Sequence, residues 1–148
     1  MMQRVKVIGA ESVHLPVIAE IAGLSFPDPW SETLFRQTLE SENHQIWCAV
    51  SGETVCGYLV LSRAGTEMSV DDIAVHPAFR RQGVGKLLLE WTHGQYPACD
   101  FWLEVRESNA AAMALYQSLG YTQVGFRKRY YQNPEEGAVL MTRVGDHI

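Results

Sequence analysis

The stretch from Val75 to Lys86, Val-His-Pro-Ala-Phe-Arg-Arg-Gln-Gly-Val-Gly-Lys, constrains the fold more than any other part of the chain. It predicts a strand that stops at Pro77, a glycine-containing turn, and a helix that opens at about Val84. Val84, Leu87, Leu88 and Trp91 fall at i, i+3, i+4 and i+7, which lays one apolar face along that helix. Pro77 forces extended backbone on the residue before it and ends the strand. Gly83 and Gly85 remove side chains where the backbone would approach a ligand, so the unpaired amides of a helix start can face a pyrophosphate. Arg80, Arg81 and Lys86 add positive charge at the same mouth.

Two glycines before a helix also make an ordinary tight connection, so the setting decides. A dinucleotide fingerprint needs a third glycine in Gly-x-Gly-x-x-Gly, which is absent here. A P-loop needs a hydroxyl after its lysine, and Lys86 is followed by Leu87.

Phe101-Trp102-Leu103-Glu104-Val105-Arg106 reads as a short apolar strand that carries one carboxylate, followed by a helix through about Gly120. Ala112, Leu115, Tyr116 and Leu119 form that helix's apolar face; Ser108 or Asn109 supplies its N-cap oxygen and Gly120 its stop. The order is then strand, Arg-x-x-Gly-x-Gly, helix, strand, Asn-x-x-Ala-x-x-x-Tyr, helix, Gly-Tyr. In this order the chain resembles the GNAT superfamily of acetyl-CoA-dependent N-acetyltransferases. Within it, Trp102 to Ala112 resembles the RimI type, bacterial enzymes that acetylate the N-terminal alanine of a ribosomal protein. Phe26-Pro27-Asp28-Pro29-Trp30-Ser31, Ile73-Ala74-Val75 and Arg129-Tyr130-Tyr131 match it too, so the resemblance spans nearly the whole chain. Asp71-Asp72 departs from it, because RimI-type sequences more often carry Asn beside the Ile.

A length of 148 residues suits a single domain, expected to span 1–148. Arg4 to Ile8 reads as a first strand and Pro16 to about Leu24 as a helix. After a stiff turn through Phe26 to Trp30, Ser31 caps a second helix, with Trp30 and Phe35 placed as a hydrophobic staple. Ile46 to Val50 and Val55 to Leu61 form a hairpin, Met68 to Val75 a third run, and Thr122 to Tyr131 with Ala138 to Arg143 a last hairpin. This is an α/β (α+β) pattern: a mixed sheet with helices on both faces. The resemblance implies a GNAT-like fold, a mostly antiparallel twisted sheet in which the strands ending at Val75 and Val105 are parallel neighbours that splay apart.

The net charge of -5 argues against a nucleic-acid partner or an anionic membrane, both of which call for a basic face. No run reaches the ~20 apolar residues of a membrane span, so a cytoplasmic protein is expected. Cys48, Cys56 and Cys99 have neither disulfide nor metal spacing, and no metal is expected. The histidines at 14, 44, 76, 93 and 147 are scattered beside loop and helix-end residues and are expected to face solvent.

Acetyl transfer to an amine needs a neutral nucleophile, a stabilised oxyanion and a proton for the departing thiolate. Glu104 shares a strand face with Trp102, and apolar surroundings there would raise its pKa toward the range of a general base. The resemblance implies that Tyr116 is the general acid and that acetyl-CoA is the cosubstrate. It would be held by Ile73, Ala74 and Val75, by the loop of Arg80, Arg81, Gln82, Gly83, Val84, Gly85 and Lys86, and by Asn109 and Tyr116, with the Val75 amide as oxyanion donor. Trp30, Asp72, Tyr130 and Tyr131 would hold the acceptor, a protein N-terminus. Adjacent strand residues face opposite ways, so one of Tyr130 and Tyr131 is expected to line the groove and the other to pack. Asp71 and Asp72 either meet a basic second residue of the acceptor or are simply solvated. Acetylation of a small-molecule amine, or plain acyl-CoA binding without catalysis, would use the same fold; Glu104 and Tyr116 speak against the last, because binding needs only the loop and Asn109. Oligomeric state carries no signal in the sequence.

Overall fold

The computed structural model describes residues 4–146. Strand β1 (Val5–Gly9) leads through a single turn at Ser12–His14 into helix α1 (Leu15–Ser25), which tolerates Pro16 in its first turn, where no backbone donor is needed. Helix α2 (Glu32–Leu39) begins as its sequence requires: the Ser31 hydroxyl accepts from the Leu34 amide at 3.1 Å, and the Trp30 and Phe35 rings lie 5.4 Å apart as the staple. Strands β2 (His44–Ser51), β3 (Thr54–Ala64) and β4 (Glu67–Val75) follow as a meander. The motif region supplies α3 (Val84–Gln95), β5 (Asp100–Arg106) and α4 (Ala110–Ser118), and the chain closes with β6 (Thr122–Tyr131) and β7 (Glu136–Arg143).

The strands form one seven-stranded sheet in the order β1-β2-β3-β4-β5-β7-β6, parallel only between β4 and β5. Alternation splits its side chains into two cores. Leu59, Leu61, Phe101, Leu103 and Val105 pack against α3 and α4, whereas Ile46, Cys48, Tyr58 and Val60 pack against α1 and α2. The expected mixed sheet with helices on both faces is therefore observed.

Two expectations need correction. The buried stripe of α3 runs through Val84, Leu88, Leu89, Thr92 and His93, while Trp91 is 39% exposed and rests edge-on against Trp47. The stripe turns toward His93 because that ring is buried, not solvent-facing: it shares a 2.8 Å hydrogen bond with the Tyr121 hydroxyl and packs on Phe101. Burial, with Arg143 nearby, lowers its pKa to about 4, so the ring is neutral. His14, His44 and His76 are half-buried, and His147 lies outside the described residues. All three cysteines are free and buried, and burial lifts the Cys48 thiol to about 11.

Candidate active site

The site arises where the sheet opens. Strands β4 and β5 pair only from Glu67↔Asp100 to Val70↔Leu103. Beyond this point Asp71 is the extra residue of a bulge, since Leu61 faces Val70 and Val60 faces Asp72. The strands then part around a cleft of about 490 Å³ whose lining includes Ile73, Glu104, Asn109, Tyr116, Tyr130 and Tyr131. A second cavity of about 570 Å³ shares Asp71, Glu104 and both tyrosines with it and extends past Trp102 to Glu67.

On the β4 side, the His76 amide bonds to the Cys56 carbonyl at 2.7 Å, which makes Cys56 and His76 a hydrogen-bonded pair. The next pair, Gly57↔Val75, must then be non-hydrogen-bonded, and so must Leu59↔Ile73. The amides and carbonyls of Ile73 and Val75 accordingly point away from β3 into the gap, while Ala74 bonds back into the sheet. The Val75 carbonyl accepts from Arg80 Nε at 3.1 Å, and Arg80 Nη2 reaches Ser25 Oγ at 3.3 Å. Arg80 thus braces the loop against β4 and α1.

Through that loop Arg81 and Gly83 take left-handed backbone, with φ of 62° and 79°. Gly83 is the N-cap of α3 and offers no side-chain cap, so the first amides of the helix, from Val84 to Lys86, have no acceptor within it. A Cβ at Gly85 would sit 3.5 Å from Leu115 Cδ2, so the start of α3 lies close against the second half of α4. Gln82 and Lys86 are exposed, and the Val84 side chain is buried. This cradle of amides and cations has the chemistry to hold a polyanion.

Strand β5 carries Glu104 on the face away from the α3–α4 core, because Phe101, Leu103 and Val105 alternate into that core. The apolar setting expected for Glu104 is absent. Arg127 Nη2 lies 3.8 Å from its carboxylate, and its hydrogen bond with Tyr130 holds that phenol on its protonated side. On α4, the Asn109 side chain accepts from the Ala112 amide at 3.1 Å, which resolves the N-cap in its favour. Tyr116 projects into the opposite core, is 7% exposed, and has its pKa raised to about 12, chiefly by burial, with Tyr131 and Asp72 adding to it. It is a protonated donor at neutral pH. The carboxylate and the phenol thus sit on opposite faces of the sheet, and the gap between β4 and β5 is where both reach one cleft.

Tyr130 and Tyr131 both line this cleft, contrary to the expectation that one would turn away. A register shift between Arg127 and Tyr131 breaks the alternation of β6, with Arg129 at a φ of 55°, and brings the two rings to 5.1 Å. Trp30 and Phe26 form part of the wall on the α1–α2 side. Asp72 is half-buried and lines the cleft: its Oδ2 accepts from the Tyr58 hydroxyl at 2.7 Å, and it also accepts from the Ile73 amide. Asp71 is exposed and stands 3.9 Å from His44 Nε2. Sequence reasoning missed Arg127, Tyr58 and Arg106. Arg106 alone carried a signal, its place in the strand-to-helix motif.

A split mixed sheet with a helix start on one side of the gap and a carboxylate on the other is the architecture of an N-acetyltransferase. The crystal structure of the ribosomal-protein-S18-alanine N-acetyltransferase from Escherichia coli superposes with a TM-score of 0.90 at 29% identity, covering 98% of this chain and 97% of that one. The acetyltransferase (GNAT) family profile matches residues 15–121, and the chain belongs to that family. The N-alpha-acetyltransferase RimI of Mycobacterium tuberculosis is 38% identical over 120 residues, 78% of this chain and 76% of that protein. The ribosomal protein bS18-alanine N-acetyltransferase of Escherichia coli strain K12 is 32% identical over 136 residues, 88% of this chain and 91% of that protein.

Proposed function

We propose that this enzyme transfers the acetyl group of acetyl-CoA to the α-amine of a protein N-terminus, an alanine at the start of a ribosomal protein. The observation that carries the reading is that Glu104 and Tyr116 meet at one cleft from opposite faces of the sheet. The choice of acceptor is supported by the relatives named for action on an alanine of ribosomal protein S18. An N-terminal amine has a reference pKa near ~8 against ~10.4 for a lysine side chain, so a carboxylate base suffices for it.

The chemistry follows from the two faces. The α3 amides and the loop cations hold the pyrophosphate, Asn109 and the Ile73–Val75 edge hold the arm, and the Val75 amide faces the developing oxyanion. The free amine attacks the thioester carbonyl and a C–N bond forms. Glu104 takes the proton the amine loses, and Tyr116 supplies one to the sulfur as the C–S bond breaks. Tyr130, Tyr131 and Trp30 wall the acceptor's first residues. The reading places the enzyme in the cytoplasm, where its acceptor is made; no described helix is long and apolar enough to cross a membrane.

The test is acetyl-CoA turnover over a panel of short peptides and small amines, with the product site located by mass spectrometry. A peptide beginning Ala-Arg should be acetylated on its α-amine, and blocking that amine should abolish transfer even with lysines present. Transfer chiefly to lysines, or only to free small amines, would overturn the reading and favour a small-molecule acceptor.

A further inference from the structure

We infer that Arg106 is a positioning residue for the acceptor side of the site, clamping the β6–β7 turn onto the start of α4 and so holding Tyr131 in the cleft. The inference rests on the acetyl-transfer reading for its kinetic consequence and on geometry for the clamp itself. Arg106 is the last residue of β5, two positions beyond Glu104 and three before Asn109. Its guanidinium leaves the strand to bind the turn at three points. Nη1 donates to the Pro134 carbonyl at 2.9 Å and to Glu136 Oε2 at 3.0 Å, and Nη2 donates to the Gln132 carbonyl at 2.7 Å. The same guanidinium lies 4.5 Å from the centre of the Tyr131 ring.

The rest of the turn is fastened to the same junction. Glu136 Oε1 accepts from the Ser108 amide at 3.0 Å, and Glu107 exchanges two 3.1 Å bonds with Gly137, one through its backbone amide and one through its carboxylate. On its outer side, Asn133 Nδ2 lies 3.2 Å and 3.3 Å from the two oxygens of Asp28, in the segment that carries Trp30. The turn is therefore the piece through which both acceptor walls are referred to β5. The Arg106 and Glu136 side chains are only 21% and 11% exposed, although the carbonyls that Arg106 holds lie on the exposed turn. The clamp draws its specificity from the guanidinium, whose planar fork meets several acceptors at once. Lysine cannot reproduce the clamp, since its single ammonium cannot span two carbonyls, a carboxylate and a ring face together.

Arg106→Lys and Glu136→Gln should be compared with wild type, using whichever acceptor wild type turns over best. Arg106→Lys should raise the acceptor KM about tenfold or more, while kcat stays within a few-fold and acetyl-CoA affinity by calorimetry is unchanged. Hydrogen exchange at residues 132–137 should quicken in Arg106→Lys and less in Glu136→Gln, which keeps the two carbonyl bonds. Unchanged exchange overturns the clamp. Quickened exchange with an unchanged acceptor KM, or with an equal loss of acetyl-CoA affinity, overturns the positioning role. A wild-type enzyme that ignores peptides but acetylates small amines refutes the N-terminal reading alone, and the same comparison on that amine still decides the inference.

Discussion

The Tyr58 hydroxyl donates a 2.7 Å hydrogen bond to Asp72 Oδ2 across the β3–β4 ladder, at the root of the cleft. Burial is the main reason the carboxyl's pKa rises to about 6; the bonds from Tyr58 and Ile73 oppose it, and neighbouring Asp71 adds to it. A carboxyl raised in this way favours its protonated form in the folded state. Its contribution to stability is therefore present below the ordinary carboxylate range and lost as pH rises through about 6. Asp72→Asn should be stabilised over wild type at pH ~8 by on the order of 2 kcal/mol, with little difference near pH ~4. Thermal melts of both proteins at the two pH values check this; a gap that does not change with pH would show that another group carries the effect.

His93 has the opposite sign. Its pKa of about 4 is below the ordinary value because burial disfavours the imidazolium. The stability it contributes is full above the ordinary histidine range and lost as pH falls through about 4. His93→Gln should lose less stability than wild type between pH ~6.5 and ~4, although at neutral pH it starts about 1 kcal/mol lower if the Tyr121 bond is weakened. Urea midpoints at the two ends of that window measure it, and parallel declines would rule His93 out as the acid-sensitive group.

The β5–α4 region was legible in the sequence because local rules act there without interference. Alternation put Glu104 and Trp102 on one face, and Asn109 capped the helix as its side chain allows. The staple of Trp30 on Phe35 was legible for the same reason. Tyr130 and Tyr131 were misread because a bulge near Arg129 breaks the period of two on which the reading depended, and no residue type announces that bulge. His93 was misread because its partner Tyr121 is distant in sequence and only the assembled sheet brings the two together. The bond from Tyr58 to Asp72 was hidden for the same reason. The setting of Glu104 was misread likewise, since Arg127 arrives from β6, two strands away in the sheet order.

The two glycines of the α3 loop should behave differently. Gly83 sits at a φ of 79°, so any side chain there strains the turn even though a Cβ would meet nothing within 4 Å. Gly83→Ala should cost about 1 kcal/mol of stability or more and weaken acetyl-CoA binding by reshaping the cradle. At Gly85 an added Cβ makes only ordinary contact with Leu115 and Val75, so Gly85→Ala should keep its melting temperature nearly unchanged. Any affinity it loses in calorimetry then reports close approach of the ligand. Wild-type affinity in both folded variants would remove the pyrophosphate from this loop.

Tyr116→Phe keeps the buried ring against Tyr121 and deletes only the hydroxyl. Turnover should fall while thermal stability changes little, because among the described residues no hydrogen bond of this phenol is lost. Full activity in the variant would leave Tyr116 a packing residue.

Glu104→Gln separates the base from its electrostatic surroundings, because glutamine keeps the shape and can still accept from the Tyr130 hydroxyl. A general base contributes typically ~100 to 10,000-fold to rate, and kcat at neutral pH should fall within that range. Acetyl-CoA affinity should hold, since the carboxylate lies on the face of the sheet away from Tyr116 and the α3 cradle. Raising the pH toward and beyond ~8 should recover part of the loss, because the α-amine then arrives deprotonated and needs no base. The recovery should be smaller for an acceptor whose amine titrates near ~10.4, so peptide α-amine and lysine-like acceptors should diverge across the same pH range. A variant with wild-type turnover at neutral pH would move the base elsewhere in the cleft and leave Glu104 as the counter-charge of Arg127.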